Sequence, residues 1–224
     1  MSRPIGRLLA AASLVIGPAA VVLVSAASPA SGEPGPKTLA KFAGHSGQVH
    51  ALLAGDFLTL VLLPAIGVVA LLAWPRSPKL AVAGGTLGLL GIGASCTLAM
   101  FDIMTETAVD SDDPRLGEFI RKVADSGWAG PFFLTFLFGT IVGFGLLGTA
   151  LWRSEAVPRW AAGAVIAYVP AAIISAVAPP PIGAIGGLVL LVGFAGCAAQ
   201  VLREGVSAPV RAAVAPALPA PAAA

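Results

Sequence analysis

The chain has 224 residues, of which 57% are hydrophobic and only 11% charged, and its formal net charge is +2. This composition excludes an ordinary water-soluble domain. Apolar stretches of about 20 residues, enough to cross about 30 Å of hydrocarbon, recur along the whole chain. Because backbone groups in lipid must be hydrogen-bonded within the chain, we predict that these stretches are helices and that the fold is an all-α polytopic bundle.

The apolar stretches predict one six-span transmembrane domain over 1–206 and a disordered Ala/Pro-rich cytoplasmic tail over 207–224. The spans are predicted at about 8–27, 49–74, 80–101, 131–152, 160–178 and 182–202. The first stretch also resembles a secretory signal, since Arg3 and Arg7 precede it and the small residues 25–28 end it. Its apolar core is longer than the usual 7–15 or so residues of such signals, which favours an uncleaved span.

Lysine and arginine predict the orientation of the six spans. Of the 13 basic residues, eight fall on one side of the predicted membrane, which the positive-inside rule makes cytoplasmic. These eight are Arg3, Arg7, Arg76, Lys79, Arg153, Arg159, Arg203 and Arg211. We therefore expect a multi-pass protein of the cell membrane with both termini in the cytoplasm. The loops after the first, third and fifth spans are then at the outer end.

Small residues in the third span predict a packing face. Gly84, Gly88, Gly91 and Ser95 share one narrow stripe of the helix with Asp102. Small residues at this spacing let helix backbones approach closely in lipid, so this face is expected to point into the bundle. Cys96 and Cys197 lie in apolar stretches and are expected to act as small hydrophobes at helix contacts.

Isolated carboxyl groups near the outer ends of the second and third spans are the candidate catalytic residues. Asp56 interrupts an apolar run, and Asp102 and Glu106 share a helical face as an i, i+4 pair. His45 falls on the same side of a continuous helix as Asp56 and is predicted to bind substrate. Ionisable groups at membrane depth usually face a cavity or a partner, although groups this near the interface can also simply be solvated.

Aromatic residues concentrate in the same layer of the predicted membrane. Phe57 and Phe101 adjoin the two aspartates, Phe132 and Phe136 lie in the outer half of the fourth span, and Tyr168 lies in the fifth. We predict that these side chains bind substrate in an aromatic pocket. The alternative is an aromatic belt that faces lipid.

A short amphipathic helix is predicted in the third outer loop. After Pro114, apolar residues recur at helical spacing while the charged residues fall mostly elsewhere, which is typical of a helix lying at the membrane interface. The apolar residues are Leu116, Phe119, Ile120 and Val123.

Two resemblances bear on the class of protein. The segment 131–170, with Arg153-Ser154 followed by Pro158-Arg159-Trp160, resembles a recurrent segment of uncharacterised six-span bacterial integral membrane proteins. That resemblance implies fold and topology, and no chemistry. In size, span count and isolated carboxyls beside aromatics, the chain is also similar in architecture to the membrane-embedded meroterpenoid terpene cyclases of actinobacteria.

Two functions follow from these patterns. The first is a terpene cyclase-type enzyme that starts the cyclisation of a prenylated small molecule by protonation, with Asp56 as donor and Asp102 or Glu106 as its partner or final base. This chemistry needs an apolar site and no metal or other cofactor. Its expected partners are membrane lipids and the hydrophobic substrate, and no nucleic acid. The alternative is a non-catalytic small transporter or a lipid- or partner-binding membrane protein.

Overall fold

The computed structural model describes residues 3–28, 36–111, 113–177 and 182–205, and within these ranges every regular element is an α-helix. The helices are α1 (Arg3–Ala27), α2 (Pro36–Ala43), α3 (Ser46–Thr59), α4 (Leu62–Ala73), α5 (Pro78–Asp110), α6 (Pro114–Ala124), α7 (Ala129–Ser154), α8 (Arg159–Val177) and α9 (Ala184–Glu204). Helices α1, α5, α7 and α9 are long and apolar enough to cross a membrane, as are α3 and α4 together. The prediction of an all-α polytopic membrane bundle is confirmed.

Helix α8 corresponds to the fifth predicted span and is apolar, but it is shorter than the other five segments. The predicted tail over 207–224 lies outside the described residues.

The spans form a closed ring in which neighbours in sequence are neighbours in space. Helix α1 packs on α3 and α4, α4 on α5, α5 on α7, α7 on α8, α8 on α9, and α9 back on α1. Helix α4 also reaches α7 across the ring, and its Leu62, Ile66, Val69 and Leu72 are fully buried. The half of the bundle that contains α4 is therefore solidly packed.

Glycines set the close contact between α5 and α7, as the stripe in the third span predicts. A Cβ atom on Gly91 would lie 2.6 Å from the backbone nitrogen of Thr140, and one on Gly84 would lie 2.8 Å from that of Leu147. A Cβ on Gly143 would meet the backbone of Gly88 at 2.5 Å. The two backbones touch, so this prediction is confirmed.

The helix predicted to run from His45 through the second span is interrupted at two places, once outside the span and once within it. Residues 44–45 separate α2 from α3, so the expected continuous polar stripe from His45 to Asp56 does not form. A second break separates α3 from α4 at Leu60 and Val61. Pro64 explains it, because proline has no N–H to donate to the carbonyl of Leu60 four residues earlier. The amides of Leu60 and Val61 instead donate to carbonyls three residues back.

The third predicted span ends later than expected. Its helix, α5, continues past residue 101 to Asp110, so Asp102 and Glu106 lie on a regular helix and not at the root of a loop. The loop helix predicted after Pro114 is present as α6, whose first turn is capped by Asp113: its Oδ1 accepts the Arg115 N–H at 2.9 Å.

Candidate functional site

A cavity of about 420 Å³ lies in the half of the bundle predicted to be outer. The five segments long enough to span a membrane and the shorter α8 all contribute to its wall. Most of the lining is aliphatic or aromatic, and the hydroxyl and carboxyl groups that reach it belong to Ser25, Asp56, Thr59, Ser95, Asp102, Thr140 and Tyr168. The volume falls in the range of about 300–1,000 Å³ found for small-molecule sites, which such a mainly apolar lining with a few polar groups also resembles.

Asp56 and Asp102 meet at the wall of this cavity. Asp56 comes from α3 and Asp102 from α5, and their carboxyl groups are close enough to interact with each other. The Oδ2 atom of Asp56 is buried and finds no hydrogen-bond partner in the described part of the chain. A protonated carboxyl can donate to an ionised one, so the pair can hold a single proton beside the cavity.

The third predicted catalytic acid, Glu106, is engaged elsewhere. Its Oε1 lies 3.1 Å from Nε2 of His50, one turn of α5 beyond Asp102. Glu106 is not among the residues that line the cavity. Both contacts join α3 to α5, but only the aspartate pair faces the cavity.

Three of the five predicted aromatic residues reach the cavity. Phe57, Phe136 and Tyr168 line it, while Phe101 and Phe132 do not. Phe132 is half exposed on the outside of α7, where a lipid-facing aromatic residue would lie. At the level of Tyr168 the wall is reinforced by Phe144, whose ring meets that of Tyr168 edge-on with centroids 5.2 Å apart.

His45 lies apart from the cavity. It occupies the N-cap of α3 and is exposed, and its Nδ1 lies 2.7 Å from the backbone oxygen of Lys41. The break between α2 and α3 places it there, since a continuous helix would have aligned it with Asp56. In the ranges that the structure describes, groups of three or more His, Cys, Asp or Glu arranged to hold a metal ion do not occur.

Several lining residues were not predicted as part of a site. Ser95 was assigned to a packing stripe and Cys96 to a helix contact, yet both line the cavity, and Cys96 is exposed. Ser95 shares a helical face with Asp102, and this could have identified it from the sequence. Thr140, Phe144 and Leu190 come from α7 and α9, and no sequence pattern distinguishes them from core residues.

Comparisons with known proteins return no relatives. No protein-family model matches the chain, and no curated protein or solved structure is significantly similar to it. The class that the fold and site define is therefore an all-α multi-pass membrane protein with an acidic, aromatic-walled internal cavity.

Proposed function

We propose that this protein is a membrane-embedded terpene cyclase-type enzyme, which isomerises a prenylated small molecule by proton-initiated cyclisation in the cavity between the spans. The observation that carries the proposal is the meeting of Asp56 and Asp102 at the wall of an otherwise apolar cavity. A carboxylic acid kept in an apolar site can act as a proton donor. The resemblance to membrane cyclases supports the proposal at the level of architecture only.

The carboxyl pair suggests how a proton enters and leaves the substrate. Asp56 donates its proton to a terminal alkene carbon of the prenyl chain, so that a C–H bond forms and the neighbouring carbon becomes a cation. The π electrons of a second alkene attack this cation and close a ring by a new C–C bond. Asp102, ionised at this stage, removes a proton from a carbon next to the final cation, and that C–H bond becomes a C=C bond. The product is an isomer of the substrate, and the proton that Asp102 takes up exchanges with solvent before the carboxyl pair protonates the next substrate.

The remaining wall residues suit this chemistry. The rings of Phe57, Phe136 and Phe144 offer π faces to a developing positive charge, an attraction of roughly 0.5–2 kcal/mol each where water is excluded. An apolar lining also limits the access of water, which would trap a carbocation. We also propose that the protein lies in the cell membrane with both termini in the cytoplasm. This orientation would place the cavity in the outer leaflet.

Isotope incorporation tests the proposal directly. Membranes containing the protein are incubated in D₂O with a panel of farnesylated small molecules, and the extracts are analysed by mass spectrometry. We expect a product isomeric with its substrate that retains one deuterium on carbon and disappears with Asp56→Asn. Asp110→Asn is the matched control, because Asp110 is an exposed acid on α5 away from the cavity. An absence of any isomer across the panel would favour a non-catalytic lipid- or partner-binding role.

A further inference from the structure

Packed apolar residues lie on both sides of the cavity along the axis of the bundle. Toward the predicted outer end, Phe42, Val49 and Leu52 form a small buried cluster that joins α2 to α3. Toward the other end, Leu62 and Phe144 are fully buried and begin the main core. A ligand that entered along the axis would have to open one of these packed layers.

The side of the bundle is different. Of the residues that line the cavity, those whose side chains are exposed are Phe57, Leu60, Cys96 and Ile103. Two come from the end of α3 and the break that follows it, and two from α5. These four residues, which we call the rim, therefore surround an opening between α3 and α5. Phe57 is the most open, with 73% of its surface exposed.

The break before Pro64 explains why the opening lies here. Below the break α4 packs on α5, where a Cβ on Gly85 would lie 3.2 Å from the Cβ of Ala70. Above the break α3 packs mainly on α1, where a Cβ on Gly55 would lie 2.8 Å from a side-chain carbon of Val24. Both halves of this span contact α1, but α4 packs on α5 more extensively than α3 does. Toward the outer end, the His50–Glu106 contact joins α3 to α5 again.

The chemistry of the rim identifies what passes through it. None of its four side chains carries a charge, and both of its walls belong to segments long and apolar enough to span a membrane. We therefore expect the opening to face hydrocarbon and not water. A molecule already dissolved in the bilayer reaches it without crossing a polar surface.

We propose that the gap between α3 and α5 is a lateral entrance through which a single apolar chain, such as a prenyl group, passes from the membrane into the cavity, and that Phe57 is the side chain that gates it. The identity of the chain as prenyl rests on the proposed function. The entrance itself rests on the exposure of the rim and on the packed apolar residues on both sides of the cavity along the axis.

Photo-crosslinking in vesicles tests the entrance without requiring turnover. The full-length protein in phospholipid vesicles is mixed with farnesol carrying a diazirine at its apolar end, irradiated at increasing times, and digested for mass spectrometry. We expect adducts on the inner wall, at Phe136 or Phe144, to accumulate at least about ten-fold more slowly in Cys96→Trp than in the wild type. In Phe57→Ala they should accumulate faster. The matched control is Leu90→Trp, because Leu90 is exposed on α5 outside the cavity and an added ring there should leave the rate unchanged.

Slower loading in Cys96→Trp together with faster loading in Phe57→Ala cannot be explained by misfolding, because a misfolded bundle would not load faster when the Phe57 side chain is removed. Loading that is equal in the wild type, Cys96→Trp and Phe57→Ala would overturn the entrance, as would a wild type without inner-wall adducts. The outcome is separable from that of the D₂O experiment. If loading depends on Cys96→Trp and Phe57→Ala but no isomer forms, the entrance is supported and the cyclase is contradicted. If an isomer forms and Cys96→Trp does not affect its formation, the cyclase is supported and the entrance is contradicted.

Discussion

At the scale of single residues, the molecule separates three acids that the sequence groups together. Asp56, Asp102 and Glu106 all interrupt or end apolar stretches, and the i, i+4 spacing makes Asp102 and Glu106 equivalent as partners for Asp56. The structure distinguishes them by their neighbours: Asp102 faces Asp56 and the cavity, while Glu106 faces His50. Which of two acids on one helix reaches a site is decided by the adjacent helix.

This difference predicts unequal effects of two conservative substitutions. Asp102→Asn removes the base that takes back the proton, and we expect turnover in the D₂O assay to fall by at least about 100-fold, a usual contribution of general acid–base catalysis. Glu106→Gln should retain most of the turnover, because its partner is outside the cavity and a contact with an exposed histidine contributes at most about 1 kcal/mol to stability. Equal losses in both variants would contradict the assignment of Asp102 as the partner of Asp56.

The residues of the cavity were only partly predictable. An acid inside an apolar stretch is conspicuous in a sequence, which is why Asp56 and Asp102 could be identified as candidates. Aromatic residues do not reveal their role in this way, because a Phe can either line a pocket or face lipid. On α7, Phe136 lines the cavity and Phe132 is exposed. Aliphatic wall residues such as Leu190 carry no signal, because their role depends only on a void beside them.

At the scale of helices, backbone contacts and one proline decide the shape of the site. The contact between α5 and α7 allows no Cβ atom at Gly84, Gly91 or Gly139, so these helices form the fixed wall of the cavity. On the outer side of the break before Pro64, α3 packs mainly on α1 and less on α5, which leaves the opening between α3 and α5. The glycine stripe was predictable from its spacing, whereas the consequence of Pro64 was not, because a proline in a span can bend a helix without redirecting it.

The fixed wall predicts a strong difference between two glycines on α5. In Gly91→Ala the new methyl group would meet the backbone of Thr140 at 2.6 Å, which cannot be relieved by a side-chain rotation. We expect a loss of about 1–3 kcal/mol in the free energy of unfolding, the usual cost of overpacking.

Gly93→Ala is the matched control, because nothing lies within 4 Å of a Cβ at Gly93. This variant should be neutral or slightly stabilising, since alanine favours a helix by up to about 1 kcal/mol over glycine. Thermal unfolding of both variants in the same detergent measures the difference. A Gly91→Ala protein as stable as Gly93→Ala would mean that α5 and α7 are not packed backbone to backbone.

At the scale of the whole molecule, closure of the ring is what makes a cavity possible. The six apolar segments and their order are predictable from hydropathy. The pairing of the first segment with the last is not, because no feature in the sequence of α1 indicates that it packs on α9. The structure shows the contact at Gly187, where a Cβ would lie 3.0 Å from Val22. With α1 in place, Val21, Val24 and Ser25 contribute to the wall of the cavity.

The orientation of the ring in the membrane follows from charge and sets which leaflet supplies the ligand. Eight of the 13 basic residues fall on one side of the predicted membrane, so the positive-inside rule predicts that the lateral entrance, near the other side, lies in the outer leaflet. Single cysteines in a background of Cys96→Ala and Cys197→Ala can report this. Ser111 and Glu204 are exposed at opposite ends of the bundle, Ser111 just after α5 and Glu204 at the end of α9.

We expect a charged, membrane-impermeant maleimide to label Ser111→Cys in intact cells that express the protein. Glu204→Cys should be labelled only after the membrane is permeabilised, because the positive-inside rule predicts that this basic end lies in the cytoplasm, where the reagent cannot reach it. Labelling of Glu204→Cys alone in intact cells would show that the orientation is the reverse of the predicted one. The cavity would then draw its ligand from the inner leaflet, where a prenylated molecule made in the cytoplasm first dissolves, and the lateral entrance would work without a step that moves the substrate across the membrane.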